Sequence, residues 1–418
     1  MGRPTVVVVG AGQAGAEAAV ALRAQGYGGR VVLVGEESET PYQRPPLSKE
    51  LLAAGGERVD CALYPASHYP DRDIELLSGE RAEGIDREGR TLLLASGREL
   101  PYDALVLATG ARPRALTVPG AGLAGVHTLR TLSDARDLRS RLYGARDLVV
   151  VGGGFIGLEV ASAARTLGLD VAVVEVRDRL MGRSVSEPVS RHLAELHRRN
   201  GVRVLLAREV TAVHGEERRV REVELDGGER IAADVVVAGI GAVPNTEIAA
   251  RAGLAVDDGI LVDARLRTSD PAVLAIGDCA RFPSRHGLGR HAPVRLESVQ
   301  NAADQARAAA TTVCDPEGGA DYDAVPWFWT HQYGVRLQIA GLTAGHDRTV
   351  TVGDPAGGRF SVFCFRGERL LGVESVGRPA DHAITRRLLA GSRHSLTPES
   401  VAAPGFDLKQ QQLQSQPA

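Results

Sequence analysis

Val6-Val-Val-Val9 runs straight into Gly10-Ala-Gly12-Gln-Ala-Gly15, and the fold turns on how that stretch continues. The spacing predicts a strand over Val6 to Val9, a helix over Glu17 to Gln25, and a second strand over Val31 to Val34 that stops at Glu36. Such a strand, helix and strand form a unit shaped to hold a dinucleotide. Gly10 turns the chain off the strand, Gly12 lets the backbone approach a pyrophosphate, and Gly15 lets the helix pack closely on the strands. Free N–H groups and the dipole at the helix start favour the phosphate charge. Glu36 stands where an acid accepts hydrogen bonds from a ribose diol.

The unit comes twice. Leu148 to Val151, Gly152-Gly-Gly154-Phe-Ile-Gly157, a helix through Arg165, and Val171 to Glu175 repeat it. Two units in one chain imply two nucleotides, and the commonest pairing is a flavin with a nicotinamide. Val235-Val-Val-Ala-Gly239-Ile-Gly241 closes the second unit, while Ile260 to Ala264 and Val273 to Cys279 read as strands that complete the first. The expected fold class is therefore α/β, with two Rossmann-like dinucleotide-binding domains. The nicotinamide domain, residues 113–242, is inserted in the flavin domain, residues 1–112 and 243–322. A C-terminal α+β domain, residues 323–405, follows.

Other elements are read from the same patterns. Leu132 to Leu142, Glu187 to Arg199, Glu297 to Thr311 and Ala380 to Leu389 read as helices. Arg90 to Tyr102 reads as a hairpin around Ser96-Gly97, and Leu105 to Gly110 as a buried strand ending in small residues. Thr40 to Lys49 is a proline-stiffened loop leading into a short helix from Ser48. His192 and His197 share a helix at a spacing that suits no metal and are read as surface residues. The polar, glutamine-rich tail, residues 406–418, is expected to be disordered.

At 418 residues the chain is too long for one core, and a net charge of -3 with 44% apolar residues is ordinary for a soluble protein. The arginines are spread rather than gathered, which argues against a nucleic-acid partner. No apolar run approaches the roughly 20 residues of a membrane span, and no signal peptide is read at the N-terminus. A cytoplasmic, monomeric protein is expected. The four cysteines, Cys61, Cys279, Cys314 and Cys364, show neither paired-thiol nor metal-ligand spacing. Only two lysines occur, Lys49 and Lys409, so a retained lysine draws notice.

The motifs VVVVGAGQAG, RPPLSKELL, LVLATGARPR, VVVGGGFIGLEVA, VVAGIGAVPN, AIGDCARF, VRLESVQNA and PWFWTHQY occur in unbroken order from about Thr5 to Gly405. In these the chain resembles the FAD-dependent ferredoxin reductases of the putidaredoxin reductase type. The resemblance implies tightly but non-covalently bound FAD, NADH as co-substrate, and a two-iron two-sulfur ferredoxin as partner. That ferredoxin would serve a cytochrome monooxygenase or a ring-hydroxylating dioxygenase.

It further implies site residues. Gly10, Gly12, Gly15 and Glu36 would hold the adenosine end of FAD, with Arg44 and Lys49 beside the flavin. Ala108, Thr109 and Gly110 would lie near its pyrophosphate and ribityl, Asp278 on the ribityl hydroxyls, and the Val299 N–H at the pyrimidine edge. Gly152, Gly154, Gly157, Glu175 and Gly241 would serve NADH, with Glu159 near the carboxamide; Arg183, like Arg177 and Arg179, is read as solvated or as a partner of the NADH pyrophosphate, with a 2'-phosphate contact as the alternative. Trp329, with Trp327, matches the aromatic at the exposed flavin edge.

Charge explains why such groups are wanted. Reduced flavin is anionic at its pyrimidine end, and a fixed cation there stabilises it. Lys49 is the expected cation, and since a buried lysine without a partner tends to lose its charge, Glu159 is expected beside it. A carboxylate at Glu175 accepts from a ribose diol but repels a 2'-phosphate, so NADH is favoured over NADPH. Without a thiol relay, electrons leave the flavin singly, past tryptophan. Arg307, Arg336 and Lys409 are candidates for a basic docking surface. Competing readings are a rubredoxin, quinone or oxygen reductase, and a redox-responsive binding protein similar to the apoptosis-inducing flavoproteins.

Overall fold

Five parallel strands carry the first glycine turn, in the order Val273–Ala275, Ala104–Leu107, Thr5–Val9, Arg30–Gly35, Ile74–Ser78. The computed structural model describes residues 3–288, 292–391 and 396–414. Val6 to Val9 and Val31 to Val34 are buried on both faces, as unbroken β-branched and leucine runs require in a parallel sheet. The register pairs Thr5 with Arg30 and Val9 with Val34, so the two strands end together beside the glycine turn. Helix Gln13–Ala24 packs against helix Val299–Cys314. A small antiparallel sheet, Ala82–Asp86, Thr91–Leu94 and Glu99–Pro101, closes over the far side, where Leu92, Leu94 and Leu100 join the core.

These elements form one of two compact units, built from Met1–Gln43, Asp60–Arg112 and Val243–Pro326. The other comprises Arg44–Val59, Pro113–Ala242 and Trp327–Ala418. Its parallel sheet runs Arg203–Leu206, Asp170–Glu175, Asp147–Val151, Val235–Ala238, Val126–His127. Helix Leu132–Leu142 opens on a capping box in which Thr131 and Asp134 satisfy each other's backbone N–H. An antiparallel sheet in the order Trp327–Gln332, Val335–Gly341, Arg369–Val376, Arg359–Arg366, Arg348–Asp354 carries helix Pro379–Ala390. In the middle of that sheet the Glu374 carboxylate, fully buried, accepts the Ser186 N–H and hydroxyl at the start of helix Glu187–Arg199. Burial pushes this carboxyl above its ordinary range, although the helix start favours its charge.

Several expectations shift. The first helix begins at Gln13 rather than Glu17, because Gly12 serves as its N-cap and the last turn glycine lies inside the helix. The strands expected over Ile260 to Ala264 and Val273 to Cys279 shrink to Ile260–Leu261 and Val273–Ala275, the latter followed by a tight turn at Gly277–Cys279 with Gly277 at φ +73. No helix starts at Ser48: the prolines hold a single 3-10 turn, Pro45–Ser48. The stretch Arg44–Val59, read as a continuation of the flavin domain, belongs instead to the unit that contains residues 113–242. The tail is not wholly unstructured, since Leu408–Gln414 is a short helix and Leu408 is buried; residues 415–418 lie outside the described part.

His197 is not at the surface either. Val189, Leu193 and His197 recur every four residues along one buried stripe of their helix. His192 is half-buried, with its ring against Phe360.

Candidate functional site

In the first unit Gly10 takes φ +108, and a Cβ there would stand 2.2 Å from the Ala108 carbonyl oxygen. A Cβ on Gly15 would stand 1.8 Å from the Gly10 carbonyl oxygen. Both positions exclude any side chain. Gly12 is different, since a Cβ there meets nothing within 4 Å. Packing does not demand glycine at that point, and the space in front of it is open. The helix start behind it has no side-chain cap and no acid in its first turn, so its N–H groups remain for an anion. Glu36 is exposed at the end of Arg30–Gly35.

The rest of this half gathers at strand ends. Thr109 Oγ1 donates to the Asn245 carbonyl at 2.6 Å, and Asn245 Nδ2 donates back to the Thr109 carbonyl at 2.8 Å, which fixes the turn after Ala108 and leaves Gly110 at φ +66. Asp278 sits half-buried in the turn whose Gly277 N–H donates to Gln305 Oε1. Val299 opens its helix behind the N-cap Ser298, so its N–H has no intrahelical acceptor. Cys279 is fully buried, its thiol pushed up by burial and donating to the Ile276 carbonyl at 3.2 Å. All four cysteines are free, and none adopts a disulfide.

In the second unit the turn is built alike. Gly152 has φ +102 with a Cβ position 2.5 Å from the Gly239 carbonyl oxygen, and a Cβ on Gly157 would lie 2.3 Å from that of Gly152. Gly154 again faces open space, with its nearest neighbour 3.9 Å away. Glu175 does not hang free: it accepts the Gly153 N–H at 2.7 Å and the Arg177 N–H at 2.8 Å. Both oxygens keep lone pairs for a diol, and the carboxylate is held in place to offer them. Arg183 is exposed and reaches toward Gly241, which lies just beyond the end of the inner strand Val235–Ala238 with φ +112.

Lys49 and Glu159 meet. Lys49 Nζ is 2.7 Å from Glu159 Oε2, with side chains 15% and 3% exposed. Lys49 also donates to the Pro45 carbonyl at 3.1 Å, an acceptor that the proline turn aims at it. Glu159 further accepts the hydroxyls of Ser48, at 2.5 Å, and Thr330, at 2.7 Å. Such a pair is charged on both sides and satisfied on both sides, the condition under which burial of ions is tolerated. Arg44 lies nearby in sequence but donates to the Arg130 carbonyl. Ser48 and Thr330 are functional neighbours that the sequence reading passed over. For Thr330 a signal existed: the strict alternation of Trp327–Gln332 puts Thr330 and Gln332 on the face opposite the tryptophans.

Trp327 and Trp329 are half-buried rather than core, with ring centroids 5.3 Å apart. The Arg386 guanidinium lies 4.8 Å over Trp327, and the His382 ring meets its edge. Burial, with Arg386 adding to it, depresses the His382 imidazole to about 4. The fold therefore holds the ring neutral, while an unfolded chain binds a proton near pH 6.5. Stability from this group is present above about 6.5 and lost as pH falls toward 4, at about 1 kcal/mol per pH unit. Denaturant titrations between those values will show the slope, and His382→Phe will remove that share of it.

Among the described residues no helix is long and apolar enough to cross a membrane, and no cluster of side chains suits a metal ion.

Comparison with known proteins agrees with this arrangement. Residues 4–306 match the family described as pyridine nucleotide-disulphide oxidoreductase, and residues 327–412 match the reductase C-terminal family. Rhodocoxin reductase of Rhodococcus erythropolis is 49% identical over 405 residues, covering 97% of this chain and 93% of that protein. The ferredoxin reductase for the CYP199A2 system of Rhodopseudomonas palustris superposes with a TM-score of 0.93 at 47% identity, covering 97% of this chain and 99% of that one. The covalent putidaredoxin reductase–putidaredoxin complex gives the same TM-score at 39% identity, with 98% of each chain covered. Two glycine turns of one design, the family match over residues 4–306 with the reductase C-terminal match behind it, and identities of 39–49% over nearly the whole chain make this chain a member of the pyridine nucleotide-disulphide oxidoreductase family, among its ferredoxin reductases of the putidaredoxin reductase type, which use FAD and NAD(H).

Proposed function

We propose that this chain, a monomer of the cytoplasm, oxidises NADH and passes the electrons singly to a two-iron two-sulfur ferredoxin. That ferredoxin serves a cytochrome monooxygenase or a ring-hydroxylating dioxygenase. The observation that carries the reading is the pair of glycine turns, each with an open cradle at its middle glycine, in a chain whose cysteines form no pair. FAD, when bound, supplies the exchange between a donor of electron pairs and an acceptor of single electrons.

The residues divide the work. Gly10, Gly12, Gly15 and Glu36 would hold the adenosine end of FAD, while Thr109, Asp278 and the Val299 N–H orient the remainder. Gly152, Gly154 and Gly157 would receive the NADH pyrophosphate with Arg183 as counter-charge. Glu175, already fixed by two N–H groups, favours the diol of NADH over the phosphate of NADPH. Lys49, kept charged by Glu159, supplies a fixed cation. Trp329, half-buried on its strand, gives electrons a way out.

Support for the acceptor comes from the relatives, one of which is a rhodocoxin reductase and another of which was captured in a complex with putidaredoxin. Stopped-flow mixing of the FAD-loaded protein with NADH, then with a panel of two-iron ferredoxins, tests the reading. Fast bleaching followed by fast reoxidation by one ferredoxin is the expected result. A long-lived reduced complex that no ferredoxin reoxidises would sink it and favour a redox-responsive binding role.

Arg307, Arg336 and Lys409 are exposed, although Arg307 already leans on Asp304. We propose each of them, taken separately, as a basic contact for an acidic ferredoxin. The double substitution Arg307→Glu with Arg336→Glu is expected to slow ferredoxin reduction about tenfold at low salt, chiefly through association rate, and to leave ferricyanide reduction unchanged. The difference will fade as salt rises. Equal loss with both acceptors would count against these contacts.

A further inference from the structure

Glu159 is one end of a longer buried chain of hydrogen bonds. On the face of Trp327–Gln332 away from the tryptophans, Thr330 reaches Glu159 on helix Phe155–Thr166, and Gln332 reaches His197 on helix Glu187–Arg199. His197 Nε2 lies 2.8 Å from Gln332 Oε1, Gln332 Nε2 donates to Thr330 Oγ1 at 3.0 Å, and Thr330 Oγ1 donates to Glu159 Oε1 at 2.7 Å. The other Glu159 oxygen takes Lys49 and Ser48. His197 is 0% exposed, Gln332 and Thr330 1% each, and Glu159 4%, so bulk solvent does not reach these groups.

A chain of this kind has two directions and they are not equivalent. Thr330 owns one proton. If that proton goes to Glu159, Thr330 accepts from the Gln332 amide, whose oxygen then needs a proton from His197 Nε2. In the reverse order His197 carries its proton on Nδ1, Gln332 turns over, and Thr330 spends its proton on the amide oxygen. Glu159 then loses a donor and is satisfied on that side only by holding a proton itself. The far end of the chain bears on the choice. Tyr333 lies in the hairpin turn with φ +48, its N–H held by Ser162 Oγ at 3.1 Å, and its hydroxyl is 3.4 Å from His197 Nδ1. Read with the phenol donating, this contact leaves Nε2 as the protonated nitrogen, the order in which Gln332 turns Oε1 to His197 and Nε2 to Thr330. Burial holds the ring neutral, so only one nitrogen carries a proton. The charged and titratable groups set against the chain are Lys49 at one end and Tyr333, with Arg165 behind it, at the other.

We infer that His197, acting through Gln332 and Thr330, is a positioning residue that fixes Glu159 as an anion and thereby keeps Lys49 charged. No proton travels along the chain, since the Gln332 amide passes on orientation only. The consequence for the flavin rests on the reading of Lys49 given above; the direction of the chain does not.

The test uses the full-length, FAD-loaded protein. With histidine labelled in its ring nitrogens, and the His197 signal identified by its absence in His197→Gln, nitrogen NMR is expected to show the Nε2–H form. An Nδ1–H form overturns the inference. Thr330→Val removes the donor. In that variant the break in the pH dependence of the flavin midpoint potential should move up by about one pH unit or more, the worth of a hydrogen bond to an ion. Thr330→Ser should restore it. Breaks that stay at the native pH in Thr330→Val overturn the inference even if the tautomer is Nε2–H. Lys49→Met is run alongside: an unchanged flavin potential there would defeat the reading of Lys49 while leaving the tautomer result to stand or fall by itself.

Discussion

Gly15→Ala is expected to yield a chain that does not fold to a yellow protein. The added methyl would sit 1.8 Å from the Gly10 carbonyl oxygen and 3.3 Å from Val8 Cγ1, both parts of the central turn and strand of the first sheet. No side-chain motion relieves a clash with backbone, so helix Gln13–Ala24 would have to leave the sheet. The cost exceeds about 4 kcal/mol, the range kept for disrupted cores, and rivals the whole stability of an ordinary domain. Gly12→Ala is the contrasting case, because its methyl meets nothing within 4 Å. That variant should fold with a nearly native melting temperature and bind FAD weakly. Flavin absorbance together with thermal melting separates the two outcomes. Equal behaviour of the two variants would remove the distinction between a packing glycine and a cradle glycine.

Lys49→Met should fold and bind FAD, yet its reduction by NADH should slow by about a hundredfold or more, the usual cost of removing a fixed charge or donor from a reacting centre. Methionine keeps the length of the stem and removes only the ammonium. Glu159 retains Ser48 and Thr330 as donors, so the variant leaves no bare carboxylate. Rapid-mixing kinetics at several NADH concentrations will show the loss in the limiting rate rather than in NADH affinity. A full limiting rate in Lys49→Met would assign the pair a purely structural role.

How much of this could be read from the sequence depends on how local the physics is. Helices Leu132–Leu142 and Glu187–Arg199 match their expected bounds to the residue, because caps and amphipathic spacing are local signals. The strand over Val273 to Cys279 was overextended, since a hydrophobic run does not announce the Gly277 turn that ends pairing. The two glycine turns were legible for the same reason as the caps: their constraints lie within a few residues. The partners of Glu159 were legible only where a charge argument demanded one. Lys49 follows from the need of a buried cation for an acid, whereas Ser48 and Thr330, and Gln332 behind Thr330, come from chain distant in sequence and carry no charge to betray them. His197 was misread by asking only whether it shared a metal with His192. Its spacing of four from Val189 and Leu193 places it on the buried stripe.

Arg44–Val59 is packed with a different body from the chain that precedes and follows it. For anyone recombining this reductase with a relative, that fixes where the seams belong. A chimera cut only at 112/113, 242/243 and 326/327 would pair one parent's Ser48 and Lys49 with the other parent's Glu159 and Thr330, splitting an ion pair between two ancestries. Adding seams at 43/44 and 59/60 carries the lysine with its acid, and the exchanged pieces then correspond to whole bodies rather than to stretches of sequence.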